Sequence, residues 1–336
     1  MMNTAELPTE NALVILMLCS QLGLSSDGDA SVTPLTLKEW NALAHRIHDS
    51  DLEDPRRLLG LSAAEMVGRL GLAQSEAERI AGLLARGGTT ALELERLAAS
   101  GIWCVTLADE SYPPRVRQAL KRQAPAVMFG AGDLAILQGP AIAVVGSRNL
   151  DEQGEEFARR VGLASTRIGA ALVSGGARGT DRIAMQAALD AGGCAVGILA
   201  DSLARTIRQQ DVREFVAGGR LLLLTPYRPD SGFTVGGAMG RNKIIYAAAD
   251  YAVVVASDYQ KGGTWAGAEE ALKANRRPVF VRLGASAGSG NDKLISKGAL
   301  PITEDALDPF VDIAAWMKER AGSRPEQAEL LSMAGG

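Results

Sequence analysis

The sequence predicts an α/β fold, a doubly wound parallel sheet behind an N-terminal helical domain. Three observations predict it. From Gly139 to about residue 300, short continuous apolar runs alternate with amphipathic segments. Several of those runs end in glycine-rich loops. Residues 9–100, by contrast, carry apolar positions at helical spacing.

In chain order, helical spacing runs through Ala12–Leu24, Leu37–Ile47, Ala63–Leu70 and Ala77–Leu84. Thr36 and Ser62 stand where N-caps belong, and Glu65 is placed as the capping-box partner of Ser62. Leu70–Leu84 reads as a helical hairpin. These elements make a domain over 1–100. Residues 101–138 read as a connector packing on the sheet domain. It holds short strands at Gly101–Leu107 and Pro125–Gly130, a turn at Tyr112-Pro113-Pro114 and a helix at Arg115–Arg122.

The sheet domain covers 139–305. Its strands are Ala141–Val145, Ala171–Ser174, Ala195–Leu199, Arg220–Leu224, Tyr251–Ala256 and Pro278–Arg282. Such apolar runs suit parallel strands covered on both faces. The helices between them are Gly154–Ile168, Thr180–Ala191, Ala204–Val216, Arg241–Ala249 and Trp265–Ala274. This alternation is Rossmann-like, and in such folds ligands gather at the carboxyl ends of the strands. Residues 306–336 add a helix at Pro309–Arg320 and a polar tail expected to be mobile.

Composition excludes several classes. The chain has 336 residues, of which 47% are hydrophobic and 22% charged, so it is long enough and apolar enough for a proper core. Cys19, Cys104 and Cys194 are odd in number and show no CxxC spacing, which argues against a disulfide framework or a zinc site. His45 and His48 form an HxxH pair without further ligands and read as helix-surface residues, so no metal is expected. They also lie outside the glycine-rich region, which leaves Ser–His–Asp chemistry unsupported. The apolar run Ala12–Cys19 is too short to cross a bilayer and follows Glu6 and Glu10 rather than a basic segment. A cytoplasmic protein with no membrane partner is expected.

The formal net charge of −4, from 35 Lys+Arg against 39 Asp+Glu, argues at first against a nucleic-acid partner. The charge is unevenly spread, however. Residues 141–300 carry 20 Lys+Arg and 15 Asp+Glu, so the sheet domain is basic and the flanks make the chain acidic.

Five loops carry the chemistry. Gly146-Ser147-Arg148 follows the first sheet-domain strand and offers close backbone approach, a hydroxyl and a guanidinium. Ser174-Gly175-Gly176-Ala177-Arg178-Gly179-Thr180-Asp181 follows the second and reads as a phosphate-cradling loop at a helix start. It is neither GxGxxG nor a Walker A loop, so no nicotinamide or ATP cofactor is expected. Gly240-Arg241-Asn242-Lys243 reads as a basic helix N-terminus. Lys261-Gly262-Gly263-Thr264 is a second glycine loop running into a helix, and it leads on to Glu269-Glu270. Gly290 to Ala299 is a polar turn that either caps the sheet or touches ligand.

These pieces, in this order, resemble the DNA-processing protein A (DprA/Smf) family. Leu107-Ala108-Asp109 and Tyr112-Pro113 are similar to its TL-x-D-x-x-YP stretch. Val144-Val145-Gly146-Ser147-Arg148 follows, then Ser174–Asp181 against SG-x-A-x-GID. Arg241-Asn242-Lys243-Ile244-Ile245 matches RN-x-I-I, and Asn291, Leu294-Ile295 and Gly298-Ala299 match N-x-LI-x-x-GA. The resemblance implies a dimerising Rossmann-like domain that binds single-stranded DNA without catalysis of its own. It implies protection of that strand and help in loading the RecA recombinase during DNA uptake or recombination. It makes Ser147, Arg148, Arg178, Arg241 and Lys243 phosphate contacts, with Gly146, Gly175, Gly176 and Gly179 allowing close approach. Ser174, Asn242, Lys261, Gly262, Gly263 and Thr264 complete the expected site.

The chain departs from the family pattern at several points. Met185 stands where the family commonly has His. Asp201-Ser202-Leu203-Ala204-Arg205 replaces GLD-x-x-YP. Only about 30 residues follow the sheet domain, too few for the winged-helix domain that ends many members. Gly262–Gly267 replaces SGSL-x-TA, and with Glu269 it is similar to the PGG-x-GT-x-x-E loop of the LOG family. That similarity opens an alternative, a nucleoside monophosphate phosphoribohydrolase with Glu269 as its carboxylate. A non-catalytic nucleotide sensor is a third reading. Among aromatics near the strand ends, Trp265 is the leading candidate to stack on a base, ahead of Tyr259, Tyr227 and Phe233; the other role for Trp265 is to plug the core beneath its loop.

Overall fold

Two of the N-terminal helices begin where the sequence places their caps. In the computed structural model, which describes residues 8–24, 33–284 and 287–322, α1 spans Glu10–Cys19, α2 Leu37–His48, α3 Ala63–Leu70, α4 Gln74–Leu84 and α5 Gly87–Ala99. The Thr36 and Ser62 hydroxyls accept from the N–H groups of Glu39 and Glu65, both at 3.3 Å. The two carboxylates reach back to the Thr36 and Ser62 N–H groups at 2.7 and 2.8 Å. Both helices therefore start on a complete capping box, which satisfies two orphan donors at each end. Gly71 closes α3 with φ 61, a conformation other residues rarely hold.

Strands and helices then alternate. The order is β1 (Trp103–Thr106), α6 (Pro114–Leu120), β2 (Val127–Ala131), β3 (Ala141–Val145), α7 (Glu152–Arg167), β4 (Ala171–Ser174), α8 (Thr180–Asp190) and β5 (Ala195–Ile198). It continues with α9 (Leu203–Thr206), α10 (Gln210–Ala217), β6 (Leu221–Thr225), α11 (Val235–Ala247), β7 (Tyr251–Val254) and α12 (Gly262–Ala274). The chain closes with β8 (Val279–Arg282), α13 (Asn291–Ser296), β9 (Leu300–Ile302) and α14 (Ile313–Gly322). The nine strands lie in the order β1-β2-β6-β5-β4-β3-β7-β8-β9. The polar tail expected to be mobile falls, from residue 323 onward, outside the described residues.

The predicted sheet strands recur within about two residues at each end. Three departures are instructive. The expected helix Ala204–Val216 is two short helices, α9 and α10, separated by Ile207–Gln209. The strand β9 was not anticipated: it has three residues, one of them Pro301, and Pro is tolerated because β9 is an edge strand. Helix α11 starts six residues earlier than Arg241.

The chain forms two compact units, interleaved along the sequence, where the sequence reading draws consecutive segments. One comprises Met1–Ala135 and Gly197–Ile244; the other comprises Ile136–Val196 and Ile245–Gly336. In the first, the N-terminal helices bury Leu16, Leu18, Leu43, Ile47, Leu58, Met66, Ile80 and Leu83. The connector strands are hydrogen-bonded partners in its sheet: β1 pairs with β2, and β2 with β6, both antiparallel.

In the second unit, β4-β3-β7-β8-β9 are parallel throughout. Every residue of β3, β4 and β8 is buried, as continuous apolar runs require. Helices α7 and α8 approach so closely that a Cβ on Gly162 would stand 2.5 Å from the Ala184 carbonyl oxygen. The chain leaves β3 for β4 on one side and later returns to β7 on the other. This reversal is a topological switch point, and in such folds the ligand crevice lies there, at the carboxyl ends of β3 and β7.

Candidate functional site

The loops at the crevice are locked together by backbone contacts. After β3, the Gly146 Cα lies against Thr180: an added Cβ would be 2.3 Å from the Thr180 Oγ1. The Thr180 N–H and hydroxyl both donate to the Ser147 carbonyl, at 3.2 and 3.0 Å. Gly179, at φ +84, crosses Arg148 so closely that a Cβ would meet the Arg148 oxygen at 2.5 Å. Arg178 donates to the Asn149 side-chain oxygen at 2.8 Å. The effect is to fix Arg148 and Arg178 on adjacent loops with both residues exposed.

The smaller polar residues turn inward. The Ser147 hydroxyl donates to the Asn149 carbonyl at 2.8 Å and accepts from the Asn149 N–H at 3.1 Å, an ST turn. Ser174 is fully buried and donates to the Val144 carbonyl. The glycine loop after β4 wraps an anion of its own. The Asp181 carboxylate, 7% exposed, accepts from the N–H groups of Gly175 at 3.1 Å and Ala177 at 3.3 Å. Two amides expected to face a phosphate thus face Asp181. An acidic residue in the first helical turn behind a glycine loop is the sequence signal for this arrangement.

The third loop comes from β7. The Ser147 N–H donates to the Ala256 carbonyl at 2.9 Å, and the Thr264 hydroxyl donates to the Gly146 carbonyl at 2.9 Å. Lys261 and Gly262 are exposed at the start of α12, whose first turn has no side-chain cap. Gly262 takes φ 73 with open space around it. Gly262 and Gly263 belong to the helix itself rather than to a loop before it. Trp265 is 5% exposed and plugs the core beneath the loop, so it is not the stacking residue. Tyr259, 40% exposed, packs against it edge to face with centroids 4.9 Å apart.

Arg241, Asn242 and Lys243 belong to the other unit. They lie in the second and third turns of α11, not at its N-terminus, so the expected helix-end anion site is absent there. Arg241 is 6% exposed, and its guanidinium donates to the Ile198 carbonyl. Its role in the structure is to tie α11 to the end of β5. Asn242 and Lys243 are partly exposed.

The polar turn after β8 is anchored by Asn291, 1% exposed. Its amide donates to the carbonyls of Val255 at 3.1 Å and Arg282 at 2.9 Å, and its oxygen faces the Ser257 hydroxyl at 2.9 Å. Glu269 lies seven residues beyond Gly262, about 10 Å along the helix axis. It pairs with Lys297 at 3.0 Å and Lys273 at 3.5 Å. The hydrogen bond from Lys297 holds its carboxyl below the usual carboxylate range. His45 and His48 are exposed on α2, and His45 meets Asp49 at 2.6 Å. Among the described residues no cluster of three metal-ligating side chains occurs, and no helix is long and apolar enough to cross a membrane.

Comparison with known proteins follows the same geometry. The family model of DNA recombination-mediator protein A matches residues 103–310. The DNA processing protein DprA of Streptococcus pneumoniae (strain ATCC BAA-255 / R6) is 30% identical over 213 residues, covering 61% of this chain and 73% of the relative. The Bacillus subtilis (strain 168) DprA is 27% identical, over 60% of this chain and 68% of the relative. The X-ray structure of Streptococcus pneumoniae DprA superposes with a TM-score of 0.60 at 22% identity, covering 83% of this chain and 99% of that one. A structure of Helicobacter pylori DprA, described for its single-stranded DNA binding mode, gives 0.53 at 23% identity over 65% and 97%. At these identities the superpositions speak for the fold.

Proposed function

This chain belongs to the DNA recombination-mediator protein A family, and on that premise we propose that it binds single-stranded DNA at the carboxyl ends of β3, β4 and β7. The observation that carries the reading is the pair of exposed arginines, Arg148 and Arg178, held on loops locked together by Gly179, Thr180 and Asn149. Guanidinium groups suit phosphate oxygens because their donors are planar and paired. Lys261 adds a third cation, Gly262 and Gly263 put no side chain on the first turn of α12, and Gly146 makes room for Thr180 in the loop packing. Asn242 and Lys243 belong to the other unit and are not assigned to this site. Ser147, Ser174, Gly175, Gly176 and Gly179 serve by shaping the loops.

As a family member the protein acts in DNA processing. The finer reading is that it shields the strand, passes it to a RecA-type recombinase and works as a homodimer. Glu269 does not favour a phosphoribohydrolase, because its carboxylate is paired with two lysines well up α12.

A salt titration of fluorescent oligo-dT binding tests the reading. Each phosphate neutralised on a single strand contributes about 0.7 to the slope of log K against log salt. Arg148→Ala and Arg178→Ala are each expected to weaken binding and to reduce the slope by about 0.7. Binding that is absent at low salt, or that survives both substitutions together with an unchanged slope, refutes it.

A further inference from the structure

We infer that Tyr259 is a base-stacking platform at the mouth of this crevice, with Trp265 as its positioning residue. The inference rests on the single-stranded DNA reading and deepens it, by naming the group that meets the base rather than the phosphate.

Tyr259 is packed in an unusual way. Tyr259 leaves 40% of its surface exposed, yet its ring is held from several sides. Its backbone N–H donates to the Ser289 hydroxyl at 3.3 Å. Its own hydroxyl accepts from the Gln260 amide at 3.2 Å. The Trp265 ring lies at 83° to it, in a T-shaped contact with a buried partner that cannot move away. The turn beneath it is tight: the Lys261 N–H donates to the Asp258 carbonyl at 3.2 Å, and Gln260 takes φ 56. A non-glycine residue in the left-handed region is an uncommon conformation that surrounding contacts must sustain. The part of the ring left exposed adds nothing to the core, whereas a rigid exposed ring face is what a base needs to stack on.

The ring also stands at the switch point. The turn follows β7, one of the two strands at the switch point, and the same segment reaches the β3 loop through Thr264 and Gly146. Lys261 is exposed at the end of the turn, and the Lys293 ammonium lies over the ring, 6.0 Å from its centroid. Lys293 is itself exposed, so an arriving base takes its place on that face while Lys293 and Lys261 meet the flanking phosphates. Stacking is tolerant of sequence because every base has a π-face, so the platform suits a protein that binds single strands without reading them.

The test compares wild type, Tyr259→Ala and Tyr259→Phe on oligo-dT and on an abasic strand of equal length. Wild type is expected to prefer oligo-dT to the abasic strand. Tyr259→Ala is expected to lose about tenfold in affinity for oligo-dT, to bind both strands alike and to keep the wild-type salt slope, since stacking neutralises no phosphate. Tyr259→Phe is expected to bind as wild type does. Equal affinity of wild type and Tyr259→Ala for oligo-dT overturns the inference while leaving the DNA reading intact. A changed salt slope or a lowered melting temperature in Tyr259→Ala shows damage to the loop instead, and also overturns it. Failure of wild type to bind either strand overturns the DNA reading and the inference together.

Discussion

Gly179→Ala is the substitution to which the loop architecture is most sensitive. Gly179 holds φ 84 and ψ −130, a region that is close to glycine-only. Forcing alanine into it costs about 1–3 kcal/mol. The new Cβ would stand 2.5 Å from the Arg148 carbonyl oxygen and 2.7 Å from that of Ser147. Those are backbone atoms, so the loop must move rather than a side chain swing away. Movement breaks the two hydrogen bonds from Thr180 to Ser147, at 3.2 and 3.0 Å, worth about 1 kcal/mol each. Together the expected loss is about 3–5 kcal/mol, against a total stability of about 5–15 kcal/mol for ordinary domains. Gly169→Ala is the control. Gly169 has φ 66 but nothing within 4 Å of an added Cβ, so only the conformational cost of about 1–2 kcal/mol remains. Urea-unfolding midpoints of the two variants measure the difference, and oligo-dT binding should fall in Gly179→Ala alone. The reasoning is refuted if Gly179→Ala costs no more than Gly169→Ala.

Two further predictions concern the frame around the site. Asn291→Leu removes both donors to the Val255 and Arg282 carbonyls and the acceptor facing Ser257, all buried, at an expected cost of about 2–4 kcal/mol. A thermal melt should show an apparent Tm several degrees lower, and an unchanged Tm would count against the pin described for α13. In the other unit, Glu39 is lowered from 4.5 to about 2, first by the hydrogen bond from Arg79 and then by those from Thr36. A depressed carboxylate pKa contributes stability above the unfolded value, and that contribution fades as pH falls from about 4.5 towards 2. Melting curves of wild type and Glu39→Gln should therefore differ at neutral pH and converge on acidification; a constant difference would refute the assignment.

How much of this was legible in the sequence depends on which force decides each element. The strands around the crevice were readable because burial on both faces demands continuous apolar runs, as in Ala141–Val145 and Ala171–Ser174. The Ser62–Glu65 capping box and the Thr36 cap were readable because they are local chemistry. Helix α11 was misjudged at its start because Gly236, Gly237 and Gly240 lower helix propensity. A local cap and a contact from the preceding loop override that: Thr234 accepts from the Gly237 N–H at 3.0 Å, and the Tyr227 hydroxyl donates to the Gly237 carbonyl at 2.8 Å. The early start moves Arg241 into the helix and under cover. Of the two roles open to Trp265, the structure gives it the buried one, because spacing along a chain does not tell which of two nearby aromatics faces inward.

The Asp181 arrangement bears on how an acidic chain meets a polyanion. A glycine loop before a helix normally recognises phosphate through its amides, with the helix dipole adding to them. Here two of those amides are engaged by a carboxylate six and four residues along the same chain. A buried carboxylate in that position makes the loop rigid, and it also places a negative charge where a phosphate would otherwise enter. On the proposed reading, the strand is met from the rim, by arginine and lysine side chains carried on a fixed frame. This accounts for Arg148, Arg178 and Lys261 being exposed while Ser174 and Asp181 are buried. It also requires recognition to be more salt-sensitive than an amide cradle would be, since side-chain cations release counterions from the strand and backbone dipoles do not.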